Sequence, residues 1–275
     1  MTGIAYEWVQ EGDRFPLLQP MSELTGVLFA ARAAELLMAH KGKLPGAFLP
    51  GQEPAQALVI GCGHIGSNAV HYFLRNGVRV TIVDKTPGTI GDRMLRYAAP
   101  QDWDRWQGEV EVIQFRQDQP ERSVAKIAQQ LPTTDMLICS AVRRPSFPKE
   151  ACEFLVDAAG VRSMAAGSVV CDATACDRDL VETCVSSDRL TETETIEGVV
   201  HYSCDHIPSY VPRTATQMLT AATFPYVALL AEGVAPAIGR SEALRAGVMC
   251  RNGTLTHRLS AEKKGMAFVP VGEVL

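Results

Sequence analysis

The sequence predicts an α/β protein: a doubly wound parallel sheet of the Rossmann kind, with a long N-terminal helix and C-terminal helices outside the sheet. Three observations predict it. Short apolar runs alternate with helical patterns from residue 57 to residue 204, which is how parallel strands and crossover helices are written. The run Leu58-Val59-Ile60 opens directly into Gly61-Cys62-Gly63-His64-Ile65-Gly66, after which Ala69, Val70, Phe73 and Leu74 recur at helical spacing. Asp84 then closes a second apolar run (Val78, Val80, Ile82) eighteen residues after Gly66.

In that setting each glycine has its own reason. Gly61 permits the tight turn, Gly63 lets a pyrophosphate approach the backbone, and Gly66 lets the new helix lie close on the sheet. The phosphates would rest on the free N–H groups of that helix's first turn, where aligned peptide dipoles favour an anion. Asp84 is placed to accept hydrogen bonds from an adenosine ribose and to repel a 2′-phosphate. No arginine follows it immediately, so NAD is favoured over NADP, although Lys85 works against that preference. Gly61, Gly63, His64, Ile65, Gly66 and Asp84 are the cofactor-binding candidates of this stretch. His64 and His201 also read as structural histidines. The competing reading is a similar sheet that binds S-adenosylmethionine or nothing.

The elements follow in order. Residues 1–20 read as an extended lead-in, with a short strand at Ile4-Ala5-Tyr6-Glu7 and with Pro16 and Pro20 holding the backbone out of helix. Ser22 is a plausible N-cap of a long, largely apolar helix ending near His40, and so many Ala and Leu on its surface require cover on several sides. Beyond Asp84 the pattern predicts a helix over 92–98, a strand over 110–115, a helix over 121–131 and a strand over 136–140. A helix from Pro148 to about Gly160, a fifth strand over 168–172 and a sixth over 198–204 come next. Helices over 214–230 and 241–250 lie beyond the sheet. The chain divides accordingly into 1–55 (lead-in and packing helix), 56–212 (dinucleotide-binding domain) and 213–275 (C-terminal helices and tail).

Composition narrows the partners. The 275 residues are 47% hydrophobic and carry a net charge of −5, so no basic field draws in nucleic acid or an acidic membrane. No apolar run approaches the roughly 20 residues of a membrane span, and the first residues lack the pattern of a signal peptide. A small-molecule substrate and a cytoplasmic location are the expectation. The eight cysteines include no CxxC pair, so no metal site is expected and buried reduced thiols are the plain reading.

Several blocks, in the same order, resemble the alanine dehydrogenase and transhydrogenase family over nearly the whole chain. They are residues 16–23 (PLLQPMSE), the glycine turn with Asp84, Gly167-Ser168-Val169-Val170 before Asp172, and Gly198-Val199-Val200-His201-Tyr202. Pro208, Val211-Pro212-Arg213-Thr214 and Ala222-Thr223-Phe224-Pro225-Tyr226-Val227 complete the set. The resemblance implies that Ser22, Ser140, Ala141, Val142, His206 and Ile207 join the glycine turn and Asp84 around an NAD cleft. It also implies a preceding substrate domain, which would come before Ile4. The family's active-site aspartate falls on Cys176 in an ungapped alignment and on Asp177 after a one-residue insertion. Asp205-His206-Ile207-Pro208-Ser209 is similar instead to the saccharopine dehydrogenases, so the amino acid is not fixed as alanine.

Hydride transfer belongs to such a cofactor, and the protein must orient carbon, exchange a proton and neutralise a carboxylate. His206, just beyond strand six, is the acid/base candidate, because imidazole titrates near neutrality. A loop histidine satisfied by backbone is the alternative. Asp177 could orient an iminium or ammonium nitrogen, or simply be solvated. Arg143, followed by Arg144 at the cleft edge, could grip a substrate carboxylate, contact a diphosphate or stand in water. The expected function is therefore NAD-dependent oxidation or reduction of a C–N bond in an amino-acid-derived substrate, in an oligomer of at least two chains. The alternative is a catalytically silent NAD-binding subunit whose missing wall comes from a partner chain.

Overall fold

The computed structural model describes residues 1–144 and 146–274. Its elements, in chain order, begin with β1 (Thr2–Ile4), α1 (Gln19–Lys41), β2 (Gln56–Ile60), α2 (His64–Arg75), β3 (Arg79–Asp84), α3 (Ile90–Met94) and α4 (Pro100–Trp106). They continue with β4 (Glu111–Gln114), α5 (Pro120–Gln130), β5 (Met136–Cys139), α6 (Ala158–Ser163), β6 (Val169–Asp172), β7 (Glu194–Ile196) and β8 (Val199–Tyr202). The last are α7 (Pro212–Ala231), α8 (Val234–Arg240), α9 (Glu242–Ala246), β9 (Val248–Arg251), β10 (Thr254–Leu255) and α10 (Arg258–Lys264).

Compactness groups the chain differently from the three stretches read in sequence. One unit is Glu23–Tyr210; the other joins Met1–Ser22 to Val211–Leu275. The termini share a unit because β1 pairs antiparallel with β9, which pairs in turn with β10. That unit closes over Val9, Leu17, Ala237 and Leu244, with Tyr226 donating to Glu11 Oε1 at 2.6 Å.

The larger unit is the Rossmann sheet. Its order is β4-β3-β2-β5-β6-β8-β7, the first six strands parallel and β7 antiparallel to β8. Residue alternation sends Ala57 and Val59 of β2, Ile138 of β5 and Cys171 of β6 to one face, where α1 and α2 pack. Leu58, Ile60, Leu137, Cys139 and Val170 face the other side, with Ile127 of α5 and Val161 of α6. Both faces are covered, which is why these strands read as unbroken apolar runs. The strand order reverses between β2 and β5, and ligands of such sheets bind at the carboxyl ends beside that reversal.

Several sequence expectations are corrected. The long helix starts at Gln19 and contains Pro20, so Ser22 lies inside the first turn and is not the N-cap. Proline is tolerated there because the first N–H groups of a helix have no intrahelical acceptor. The same helix is covered within its own unit: Phe29, Ala30, Ala33 and Leu37 are buried, and Phe29 packs on Tyr202 at 5.6 Å. Lys41 and Lys43 tie its end to the buried Asp135, each at 2.7 Å. No helix runs from Pro148 to Gly160. The carbonyls of Cys152 and Glu153 accept from Arg143 at 2.9 and 2.8 Å, and α6 begins only at Ala158, capped by Asp157. The hairpin strand β7, the helix α4 and the helices α8 and α10 were not expected, and the helix foreseen over 241–250 breaks after Ala246 into β9.

Candidate functional site

The turn between β2 and α2 shows why it must be glycine-rich. Gly61 has φ +87°, and a Cβ on Gly66 would lie 1.9 Å from the Gly61 carbonyl oxygen and 2.7 Å from Ser140 Oγ. A Cβ on Gly63 would meet nothing within 4 Å. The turn is therefore closed behind Gly66 and open above Gly63, which is the shape a diphosphate lying over the first turn of α2 requires. Gly26 of α1 tightens the support, since a Cβ there would lie 2.1 Å from the carbonyl oxygen of Ile65. Ser140 holds the turn from β5, donating to the carbonyls of Ile60 (3.0 Å) and Gly61 (2.9 Å).

A cavity of about 250 Å³ opens at the carboxyl ends of β2, β3 and β5. Gly61, Cys62 and Gly63 form one side, Asp84, Lys85, Thr86 and Arg93 a second, and Ser140 to Arg144 a third. Phe115, Phe147, Leu155 and Leu180 supply an apolar wall, the two phenyl rings meeting edge to face at 5.3 Å. Gly61, Gly63, Asp84, Ser140, Ala141, Val142 and Arg143, separated in sequence, are thus brought to one hollow. His64, Ile65, Gly66 and Ile207 lie outside its wall among the described residues; Ile207 is core, 2% exposed. Ser22 belongs to the other compact unit.

Asp84 is 7% exposed. Burial alone would raise its carboxyl, but hydrogen bonds from Arg93 and from the N–H groups of Thr86 and Cys62 outweigh it and hold the pKa at about 2. Arg93, which reaches Asp84 from α3 nine positions on, escaped the reading of the sequence. His64 Nδ1 lies 3.0 Å from Tyr97 Oη, which donates its one hydrogen to Glu23 (3.0 Å) and so accepts from the imidazole; burial lowers the His64 pKa. His201 is a strand histidine, bonded to Thr183 Oγ1 (2.8 Å) and Val199 O (3.0 Å).

The three catalytic candidates are placed apart. Arg143 lines the cavity, yet its Nε donates to Asp179 and its Nη groups donate to the carbonyls of Cys152, Glu153, Asp179 and Pro148. All five N–H bonds hold a loop, leaving none for a substrate carboxylate in this arrangement. Asp177 lies on the exposed loop after β6, accepting from Ser186 N (2.7 Å) and Oγ (2.6 Å), with exposed Cys176 beside it. His206 follows β8, half exposed, with Nδ1 2.5 Å from Asp205 Oδ1. Cys204 Sγ is 3.9 Å from the same nitrogen, and these three consecutive residues bring their ligand atoms within 4.8 Å of one another. The Asp205 contact occupies the imidazole nitrogen and leaves Nε2 for proton exchange.

A family model described as the C-terminal domain of alanine dehydrogenase/PNT matches residues 26–258. The chain belongs to the alanine dehydrogenase/PNT family. It is 33% identical to the alanine dehydrogenase of Bacillus subtilis over 282 residues, covering 100% of this chain and 68% of that protein. The alanine dehydrogenase of Methanococcus maripaludis is also 33% identical, over 285 residues, covering 100% and 70%. Among solved structures, an L-alanine dehydrogenase superposes with a TM-score of 0.77 at 29% identity, covering 96% of this chain and 68% of that one. A transhydrogenase from Sinorhizobium meliloti shares the fold, with a TM-score of 0.68 at 19% identity over 93% of this chain and 68% of that one. The seven-stranded sheet and the glycine turn are thus those of an alanine dehydrogenase/PNT dinucleotide domain.

Proposed function

We propose that this chain is an NAD(H)-dependent oxidoreductase acting on the C–N bond of an amino-acid-derived substrate. One observation carries the reading: a hollow at the strand-order reversal, bounded by a glycine turn that is open above Gly63 and by an ionised carboxylate at the end of β3. NAD supplies the hydride exchange. The turn from Gly61 to Gly66 holds the diphosphate, Asp84 stands at the ribose end, and Ser140, Ala141 and Val142 carry the chain past the reversal point. His206 is the acid/base group, its tautomer fixed by Asp205, and Asp177 orients the substrate nitrogen.

The test is direct. NADH titrated by its fluorescence should bind, and NADH should be consumed in the presence of a 2-oxo acid and ammonia or a primary amine. His206→Ala should lower kcat by about two to four powers of ten while NADH affinity stays within about threefold. A protein that binds no NADH refutes the reading.

Assembly and location belong to the same proposal. Helix α7 carries no charged side chain between Arg213 and Glu232, buries only Thr223, and leaves Phe224 66% exposed. An apolar face of that kind is an interaction surface, and we infer that it joins copies of this chain into at least a dimer in the cytoplasm. Among the described residues no single helix is long and apolar enough to cross a membrane; α7 and α8 pass that test only together, across a 118° bend. Light scattering that finds only a monomer removes the oligomer from the proposal.

A further inference from the structure

The carboxylate that a cofactor ribose would use is already occupied by the protein. Asp84 Oδ2 accepts from the Cys62 N–H (2.8 Å) and Arg93 Nη1 (3.0 Å). Its Oδ1 accepts from the Thr86 N–H (2.8 Å), Thr86 Oγ1 (3.0 Å) and Arg93 Nη2 (3.0 Å). Five donors therefore converge on a group with about four lone-pair sites. Arg93 is equally committed: Nε donates to Thr89 O (3.2 Å), Nη1 also to Cys62 O (2.8 Å) and Nη2 also to Thr86 O (2.9 Å). Each of its five N–H bonds has an acceptor, and its side chain is only 18% exposed.

We infer that Arg93 is a specificity-determining residue: it competes with the ribose diol for Asp84 and so weakens the site's preference for a cofactor without a 2′-phosphate. This rests on reading the cavity as an NAD(H) site. Two effects of the guanidinium act in the same direction. A ribose whose hydroxyls donate to Asp84 must first displace the fork of Arg93, so NADH entry sacrifices two charge-assisted hydrogen bonds. The released guanidinium then stands at the ribose end of the cavity wall, alongside Lys85 and Thr86. A 2′-phosphate would face one carboxylate against two cations, Arg93 and Lys85, instead of a bare carboxylate. Phosphate accepts a guanidinium fork as well as a carboxylate does. Arg93 thus handicaps NADH and tolerates NADPH, with NADH still the tighter ligand.

The experiment is fluorescence titration of NADH and NADPH on the full chain, on Arg93→Met and on Arg93→Lys, with a thermal melt of each. The wild type should bind NADPH no more than about tenfold more weakly than NADH, and Arg93→Met should raise that ratio a further tenfold or so. Arg93→Lys keeps the charge without the fork, and its ratio should fall between the two. A folded Arg93→Met protein with an unchanged ratio overturns the inference, as does a wild type that already discriminates more than about a hundredfold. Should Arg93→Met fail to fold, Arg93→Lys decides: a raised ratio supports the role and a wild-type ratio overturns it. A wild type that binds neither cofactor removes the NAD(H) reading itself and this inference with it. Binding of NADH with an unmoved ratio removes only the role of Arg93.

Discussion

Asp84 and Asp172 end two parallel strands of the same sheet, both almost wholly buried at 7% and 4% exposure, and their protonation is driven in opposite directions. At Asp84, burial is outweighed by the Arg93 fork and two backbone N–H groups, and the carboxyl sits at about 2. At Asp172, burial pushes the pKa up to about 6, against hydrogen bonds from Thr174 N (2.9 Å) and Oγ1 (2.6 Å). The negative charge of Asp179 adds to the rise, and Oδ2 has no hydrogen-bond partner among the described residues. The two side chains also occupy opposite faces of the sheet. Asp84 follows the parity of Val80 and Ile82 toward α3, whereas Asp172 pairs in register with Cys139 on the face that holds Cys184. Surface exposure is nearly the same at both ends, but the Asp172 carboxyl is packed more deeply, so its deeper burial and the Arg93 fork at Asp84 together set the two apart. One carboxylate is a fixed charge wherever the protein is folded; the other changes its proton just below neutrality.

The largest effect expected from breaking this contrast is at Asp84. Asp84→Ala leaves the Arg93 guanidinium without its fork and two backbone N–H groups without an acceptor, which should cost about 3 kcal/mol or more in chemical denaturation at neutral pH. Combining Asp84→Leu with Arg93→Met should recover more than half of that loss, because no unpaired charge remains. The sign of the pH dependence follows from the lowered pKa: the contribution of Asp84 is complete above its unfolded value near 3.8 and disappears as pH falls toward about 2. A loss under about 1 kcal/mol would mean that Arg93 simply turns to water, and the contrast would lose its basis.

Asp172→Asn should act with the opposite sign. A carboxyl raised in the folded state favours folding below its unfolded pKa of 3.8, and that advantage is lost as pH rises through about 6. At neutral pH the ionised group is a net burden of up to about 3 kcal/mol, by the worth of some two pKa units. The amide should therefore raise the melting temperature at neutral pH and flatten the stability curve between those two pH values. A variant less stable than wild type at neutral pH would show that the ionised carboxylate has a partner that compensates it.

How much of this was legible in the sequence depends on the kind of contact. The sheet, the glycine turn and Asp84 were readable because each depends on local spacing: apolar alternation for the strands, missing Cβ atoms for the turn. Ser140, Ala141 and Val142 were implied by the family resemblance, and the apolar run before them puts them at a strand end. The Arg93 fork could not be read, since it depends on a one-and-a-half-turn helix folding back over β3, and no periodicity in five residues reveals that. Arg143 misled for the same reason. As a cation at a cleft edge it suggested a substrate grip, while its actual acceptors are Asp179 and the carbonyls of a segment whose apolar residues had the spacing of a helix. The state of Asp172 carried no signal, because it is set first by burial under segments distant in sequence and then by the charge of Asp179, neither of which local spacing reveals.

The smallest expected effect sharpens the contrast from the Asp172 side. Asp179 accepts from Arg143 Nε (2.8 Å) and from the Arg143 N–H (3.0 Å), and its negative charge helps to raise the Asp172 pKa. Asp179→Asn removes that like charge while keeping an oxygen that can accept from Arg143. The Asp172 titration midpoint, followed by carboxyl NMR, should fall by a few tenths of a unit, since burial remains the larger cause. Overall stability is the wrong readout, for two opposed changes meet in it: weakening of the Arg143 ion pair, and partial relief of Asp172 as its folded pKa moves toward 3.8. The midpoint isolates the second. A shift as large as two units would mean that charge, not burial, distinguishes Asp172 from Asp84, and no shift would mean that Arg143 already cancels the charge of Asp179 at that distance.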